Sequence, residues 1–305
     1  MSNPLIAVVG PTAIGKSGLA IELAQKLSGE IVNADSRQIY RYMDIGTAKP
    51  TLKEQSTVPH HLFDIVNPDE EFSLALYRDL ATKSISNIHK KGNLPIVVGG
   101  SGQYVWTVLE GWTIPEVPPN PQLRQELESR AEREGGDALY LELKTLDPEA
   151  AVKIDPRNVR RVIRAVEVCH LTGEPFSELR MKNPPDYDMQ ILGLTTDRTK
   201  LYDRVDRRVD IMIEQGFIEE VRGLLERGYS LELPAMSSLG YREIGRFING
   251  EIDLPETRQQ IKFITHKFAR HQYSWFRLSD PRIQWFDSAL DMTKIVAQVE
   301  TQLRY

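Results

Sequence analysis

Residues 5–17 read LIAVVGPTAIGKS: an apolar run rich in β-branched residues leads straight into G-x-x-x-x-G-K-S. The first half suits a buried parallel strand. The second is a phosphate-cradling loop, which needs a strand before it and a helix after it. Gly10 and Gly15 let the backbone turn back with its N–H groups pointing inward. The helix N-terminus adds a partial positive charge, Lys16 adds a full one, and the Ser17 hydroxyl can ligate Mg2+. Pro11, Thr12, Ala13 and Ile14 complete the turn, with the Thr12 hydroxyl within reach of a bound phosphate. Leu19, Ala20, Leu23, Ala24 and Leu27 then form one helical stripe, and Gly29 is the expected helix stop.

Three further stretches have strand character: GEIVNADS ending at Asp35, LPIVVGGSGQY at 94–104, and MQILGLTTD from Met189. Strands alternating with helices predict a parallel sheet covered on both faces. Two proline-rich stretches, IPEVPPNPQ and MKNPPDYD, bracket charged helical sequence without strands. The fold class expected is α/β: a P-loop NTPase-like parallel sheet core flanked by helices, with an all-helical insertion domain. The core takes residues 1–118 and 186–305, the insertion takes 119–185, and the chain from Arg198 onward reads as mostly amphipathic helix.

Composition removes several classes. The single cysteine, Cys169, excludes a disulfide framework or a thiolate metal cluster and reads as a small core residue of a helix. The adjacent His60 and His61 lack a third ligand at a convincing spacing, and structural hydrogen bonding is expected of them. The N-terminus has no basic region ahead of its apolar run, and no stretch reaches the ~18 apolar residues of a membrane span. A cytoplasmic monomer with no membrane partner is expected. Net charge is −5, so the chain is not basic throughout, although local basic patches stay open.

A loop of this kind requires a phosphate but not a triphosphate. Nucleotidases of this type hold Mg2+ with a carboxylate at the end of a second apolar strand. Here PIVVGG ends in Gly99 and Gly100, and the acid nearest a strand end is Asp35. Asp35 suits either a metal ligand or a general base at the carboxyl edge of the sheet.

GPTAIGKS, NADSRQIYRYMDIGTAKP, VVGGSGQY, DPRNVRRVIRAVEV, SLGYREI and RHQYSWFR occur in this order. Together they resemble the motifs of the tRNA dimethylallyltransferase (tRNA isopentenyltransferase) family across nearly the whole chain. Eukaryotic members carry a C-terminal zinc finger; this chain lacks the cysteines and is similar to the bacterial form. The resemblance implies transfer of a dimethylallyl group from dimethylallyl diphosphate to the exocyclic N6 amine of the adenosine 3′ of the tRNA anticodon, position 37. The products are N6-isopentenyladenosine and pyrophosphate. The loop would then hold a diphosphate whose carbon–oxygen bond breaks.

Such chemistry needs a group to orient or take the amine proton, for which Asp35 is the candidate. It also needs positive charge on the leaving pyrophosphate: the loop amides, Lys16, Ser17 with Mg2+, and an arginine. Arg204 is the expected arginine, with Arg208 one turn later on the same helix face and Arg198 as the alternative. Ser101 is a further catalytic candidate, at a position where the family more often has threonine.

An extruded base needs partners for its edge and surfaces to stack on. Ser36, Arg37 and Gln38 stand beside Asp35, and the Gln38 amide suits an adenine edge. Ser101 is the other candidate for the base edge, and by resemblance the tRNA anticodon stem-loop is met by Asp35, Ser36, Arg37, Gln38, Ser101, Arg124, Asn158, Arg160, Arg161, Arg164, Gly240, Tyr241, Arg242, Arg270 and Gln272. Glu167 is an expected ion-pair partner in that set. Near the C-terminus, Lys267, Arg270, His271 and Arg277 interleave with Phe268, Tyr273, Trp275 and Phe276, a mixture that suits RNA. Core packing is the competing expectation for Trp275 and Phe276. A positive channel between core and insertion is expected. Three rival readings stay open on the sequence alone: prenylation of free adenine nucleotides, a small-molecule kinase or ATPase, and a non-catalytic RNA-binding module.

Overall fold

The computed structural model describes residues 3–113, 117, 120–179, 182–290 and 292–303. Of the proline-rich stretches read as boundaries, residues 114–116, 118–119 and 181 lie outside the described residues. The chain divides into two compact units, one of residues 1–109 and 186–305 and one of residues 110–185.

The first unit begins β1 (Pro4–Val9), α1 (Lys16–Leu27), β2 (Gly29–Asn33), α2 (Leu52–Gln55), β3 (His60–His61), α3 (Leu74–Lys90), β4 (Leu94–Val98) and α4 (Gly102–Leu109). The second unit is all-helical among the described elements. It contains α5 (Pro121–Glu134), α6 (Gly136–Leu146), α7 (Pro148–Lys153), α8 (Val159–Thr172) and α9 (Phe176–Leu179). The first unit then resumes with β5 (Asp188–Thr195), α10 (Arg198–Glu214), α11 (Phe217–Glu226), α12 (Tyr241–Ile248), α13 (Leu254–Trp275), β6 (Ile283–Asp287) and α14 (Met292–Leu303).

The sheet order is β3-β2-β4-β1-β5-β6, and every pair is parallel. The central strands are continuous apolar runs because both faces are covered: β1 is buried from Leu5 to Val9, and β4 throughout. Leu19, Ala20, Leu23 and Ala24 of α1 pack with Ile6, Val8, Ile96 and Leu192 in one core. In the second unit, Leu127, Leu139, Leu143, Val162 and Val166 form a separate core. Cys169 is a buried free thiol there, as expected of a small apolar residue.

Two local features differ from expectation. α1 is stopped by Ser28, in the left-handed region at φ 52°, and Gly29 opens β2. A Cβ on Gly29 would lie 2.8 Å from Ile96 Cδ1, so that glycine serves close packing rather than the helix end. The sheet also has two edge strands, β3 and β6, that the apolar pattern did not reveal. β3 is two residues long and β6 is only partly buried. His60 and His61 form β3, where the His61 Nε2 lies 2.6 Å from the buried carboxylate of Glu30.

Candidate active site

Strand order decides what meets at the carboxyl edge of the sheet. β2, β4 and β1 are neighbours, and neighbouring strands lie about 4.8 Å apart. The loop bearing Asp35, the double glycine with Ser101, and the phosphate loop therefore emerge side by side.

The phosphate loop is held in an unusual backbone path. Gly10 has φ 137°, and a Cβ there would lie 2.5 Å from the Leu194 carbonyl oxygen. Ala13 sits at φ 62°, a left-handed conformation for a non-glycine residue and one that collects at ligand sites. Lys16 opens α1, and its Nζ donates to the Pro11 carbonyl at 2.8 Å. Burial lowers the Lys16 pKa to about 8; the negative charge of Asp35 opposes the shift and the nearby Arg208 guanidinium reinforces it. Ser17 follows on the first turn of α1.

Asp35 is fixed by its own turn. Asn33 Oδ1 accepts the Asp35 N–H at 2.9 Å, and Asn33 Nδ2 donates to the carbonyls of Asp35 and Leu62 at 3.1 and 3.0 Å. One carboxylate oxygen, Oδ1, accepts the Arg37 N–H at 2.9 Å. The other, Oδ2, has no hydrogen-bond partner among the described residues. β4 approaches closely from the side: a Cβ on Gly99 would lie 2.0 Å from the Ala34 carbonyl oxygen. That approach lets Ser101 Oγ accept the Ser36 N–H at 2.9 Å and donate to Ser36 Oγ at 3.1 Å.

A cavity of about 480 Å3 opens at this junction. One wall is polar: Thr12, Asp35, Ser36, Arg37, Gly100 and Ser101. The other comes from α10 and α13 and is largely apolar, with Val205, Val209, Met212, Ile261 and Phe268, into which Arg208 is set. Burial depresses the Arg208 pKa, and Arg208 is close enough to Lys16 to influence its titration. His271 and Trp275 complete the rim from the end of α13.

Other predicted residues fall elsewhere. Arg204 is outside the cavity lining and donates to Ser288 Oγ at 2.6 Å, so Arg208, not Arg204, is the α10 arginine in the cavity. The Gln38 Nε2 donates to the carbonyls of Thr47 and Ala48 at 2.9 and 3.0 Å, so its amide nitrogen closes a loop rather than awaiting a base. Arg37 donates to the Pro234 carbonyl and to Ser237 Oγ at 3.0 and 3.1 Å, beside the cavity.

Tyr241, one of the residues expected at the RNA, lies in the core. Its ring is fully buried, and its hydroxyl donates to Glu220 Oε1 at 2.7 Å. Gly240, in the left-handed region, starts α12, and Arg242 Nε donates to the Leu231 carbonyl at 3.2 Å. Gln272, also expected at the RNA, is enclosed as well. It is 2 % exposed, with its amide bonded at both ends inside the protein.

In the second unit, Arg124 and Arg164 both reach the fully buried Glu167 at 2.8 Å. Burial would raise the Glu167 pKa, yet hydrogen bonds from Arg124, Arg164 and the Asn120 N–H hold it below the ordinary glutamate value. Asn158 caps α8 by accepting the Arg161 N–H. Arg160 and Arg161 are exposed and have no ion pair among the described residues, whereas Arg157 pairs with Asp155. Arg270, exposed on α13, donates to the Tyr202 hydroxyl at 2.7 Å. Phe276 is core, and Trp275 lines the cavity.

The motif reading missed Glu220. Its carboxylate accepts the N–H groups of Asp44, Ile45 and Gly46 at 2.8, 2.7 and 3.0 Å, fixing the segment that lines the cavity through Gly46, Thr47 and Ala48. No sequence signal links positions so far apart. Only a glycine fits at position 46, because Phe217 and Tyr241 lie where a Cβ would be.

A phosphate loop, a carboxylate and a part-apolar cavity on one edge of a parallel sheet define a P-loop-like α/β enzyme. The model of the IPP transferase family matches residues 38–279. The chain is 55 % identical over 274 residues to the tRNA dimethylallyltransferase of Roseiflexus castenholzii, covering 90 % of each. It is 51 % identical to that of Dehalococcoides mccartyi, covering 92 % of this chain and 87 % of the relative. The solved tRNA isopentenylpyrophosphate transferase of Bacillus halodurans is 40 % identical, with a TM-score of 0.73 and coverage of 99 % and 96 %. A eukaryotic dimethylallyltransferase solved acting on tRNA is 28 % identical, with a TM-score of 0.80 over 99 % of this chain and 78 % of that one. The chain belongs to the IPP transferase family.

Proposed function

We propose that this protein transfers a dimethylallyl group from dimethylallyl diphosphate to the N6 amine of the adenosine 3′ of the tRNA anticodon. The observation that carries the reading is the convergence of Asp35, Ser101 and the edge of the phosphate loop on one cavity with an apolar wall. A donor with an anionic head and a five-carbon tail matches such a cavity: the diphosphate lies on the loop and the tail against α10 and α13.

In the reaction the allylic carbon–oxygen bond breaks, a carbon–nitrogen bond forms to the adenine amine, and that amine loses a proton. The free Oδ2 of Asp35 is the acceptor for that proton, because Oδ1 is already occupied by the Arg37 N–H. Lys16, the loop amides and Arg208 stabilise the charge that grows on departing pyrophosphate. Ser36 and Arg37 border the place of the extruded base. In the second unit, Arg160 and Arg161 are free to meet RNA phosphates.

Mg2+ belongs to the same reading. Among the described residues no group of three or more histidine, cysteine, aspartate or glutamate side chains is placed to hold a metal. The available donor is the Ser17 hydroxyl, which fits an ion held mainly by phosphate oxygens and water. When bound, it supplies further positive charge to the leaving group.

The test is incubation of the purified protein with labelled dimethylallyl diphosphate, Mg2+ and either undermodified tRNA or AMP. Label in tRNA and not in AMP is expected. Label in AMP alone, or nucleoside triphosphate turnover without transfer, contradicts the proposal. Among the described residues, no helix is long and apolar enough to cross a membrane.

A further inference from the structure

Gln272 lies on the last turn of α13, buried between two catalytic loops. Its Oε1 accepts the N–H of Thr12 at 2.8 Å, and its Nε2 donates to the carbonyl of Gly100 at 3.0 Å. Thr12 belongs to the phosphate loop and Gly100 to the loop that follows β4. The next residue, Ser101, is bonded to the N–H and hydroxyl of Ser36, and Ser36 is adjacent to Asp35. One path, of hydrogen bonds and the Gly100–Ser101 peptide link, thus runs from the phosphate loop through Gln272 to the neighbour of the proposed base.

Two independent features show that this amide is held in place. A Cβ on Gly100 would lie 2.1 Å from Gln272 Nε2, so only glycine leaves room for the side chain. One turn on, a Cβ on Gly102 would lie 2.2 Å from Trp275 Cγ, and Trp106 Nε1 donates to the Trp275 carbonyl at 3.0 Å. The end of α13 is therefore seated on the start of α4, and Gln272 has little freedom to leave its two partners.

We infer that Gln272 is a positioning residue that sets the separation between the phosphate loop and the Asp35 loop. Prenyl transfer needs the allylic carbon and the amine at near-attack distance, and misplacement by about 1 Å can cost on the order of a hundredfold in rate. A glutamine is suited to the task because it donates and accepts at fixed geometry in a single planar group. Methionine fills similar volume and does neither.

The inference rests on the prenyl-transfer reading, and one experiment separates the two. Single-turnover transfer at saturating tRNA and dimethylallyl diphosphate is measured for wild type, Gln272→Met, Ser101→Ala and the double variant, with tRNA and pyrophosphate dissociation constants alongside. Gln272→Met is expected to slow transfer by about 10- to 100-fold with both dissociation constants within about threefold. Because Gln272 and Ser101 lie on one path, the double variant is expected within about threefold of Gln272→Met alone. A single-turnover rate within threefold of wild type, a loss confined to tRNA affinity, or multiplicative losses in the double variant each overturn the role of Gln272. Absence of transfer by the wild type instead overturns the underlying reading. Should Gln272→Met fail to fold, Gly100→Ala carries the same test, since its methyl group takes the place of the amide.

Discussion

Ser101 Oγ accepts the main-chain N–H of Ser36 at 2.9 Å and donates to its hydroxyl at 3.1 Å, joining two strand-end loops 65 residues apart. The bond exists because Gly99 lets β4 run against Ala34. Its effect is to hold the residue next to Asp35. Ser101→Ala leaves the Ser36 N–H without that partner, and a fall in kcat of about 5- to 20-fold is expected, with tRNA affinity unchanged. Ser101→Thr keeps the hydroxyl and is expected within about threefold of wild type. Steady-state kinetics of the pair provide the check.

The Lys16 ammonium makes the second prediction. With its pKa lowered to about 8 by burial, the side chain is charged at neutral pH and loses its charge as pH rises through that value. Diphosphate favours the charged form, so kcat/KM for dimethylallyl diphosphate is expected to fall about tenfold per unit well above pH 8. Bound diphosphate raises the pKa, so kcat holds to higher pH. Between about 8 and 10.5 the unfolded chain binds more protons at this residue than the folded one, so its contribution to stability rises with pH. Activity and stability thus move in opposite directions over that window. A kcat/KM profile that is flat from pH 7 to 10 contradicts the assignment.

Neighbouring arginines of α8 are expected to behave differently. Arg161 is exposed and without an ion pair among the described residues, so Arg161→Ala is expected to weaken tRNA binding and reduce its salt slope by about 1. Arg164 reaches the buried Glu167 and the Val117 carbonyl, both at 2.8 Å. Its removal leaves that carboxylate with one fewer cation, and a loss of about 1–3 kcal/mol in stability is expected. Salt titrations of tRNA binding, read beside denaturant melts, distinguish the two.

On α10 the contrast is between Arg208 in the cavity and Arg204 on Ser288. Arg208→Ala is expected to reduce kcat/KM by on the order of a hundredfold, and Arg204→Ala by less. Competition by inorganic pyrophosphate locates the cause: only Arg208→Ala is expected to weaken pyrophosphate binding strongly. The reverse order returns the leaving-group role to Arg204.

The parts of this molecule that could be read from sequence are those written locally. β1, β2, β4 and β5 are apolar runs ended by Gly10, Asp35, Gly99 and Asp197 or their neighbours, and periodicity reveals them. β3 has two residues and β6 reads Ile-Gln-Trp-Phe-Asp, so neither carries a period strong enough to compete with surrounding helix. The phosphate loop is a contiguous motif. The partners that position it are not: Thr12 and Gln272 are 260 residues apart, and Glu220 holds residues 174 to 176 positions away. Burial is likewise not written in residue type. Tyr241, expected at the RNA by resemblance, has its ring enclosed against Phe217.

The central claim is that Asp35 takes the amine proton while the phosphate loop grips the leaving group, and Asp35→Asn tests it most directly. Asparagine keeps the turn geometry set by Oδ1 and removes the proton acceptor. Single-turnover transfer to saturating tRNA is expected to fall by more than about a hundredfold, with the tRNA dissociation constant within a few fold of wild type. A variant that transfers label at the wild-type rate, or one whose loss is matched by an equal loss of tRNA binding, would contradict the account.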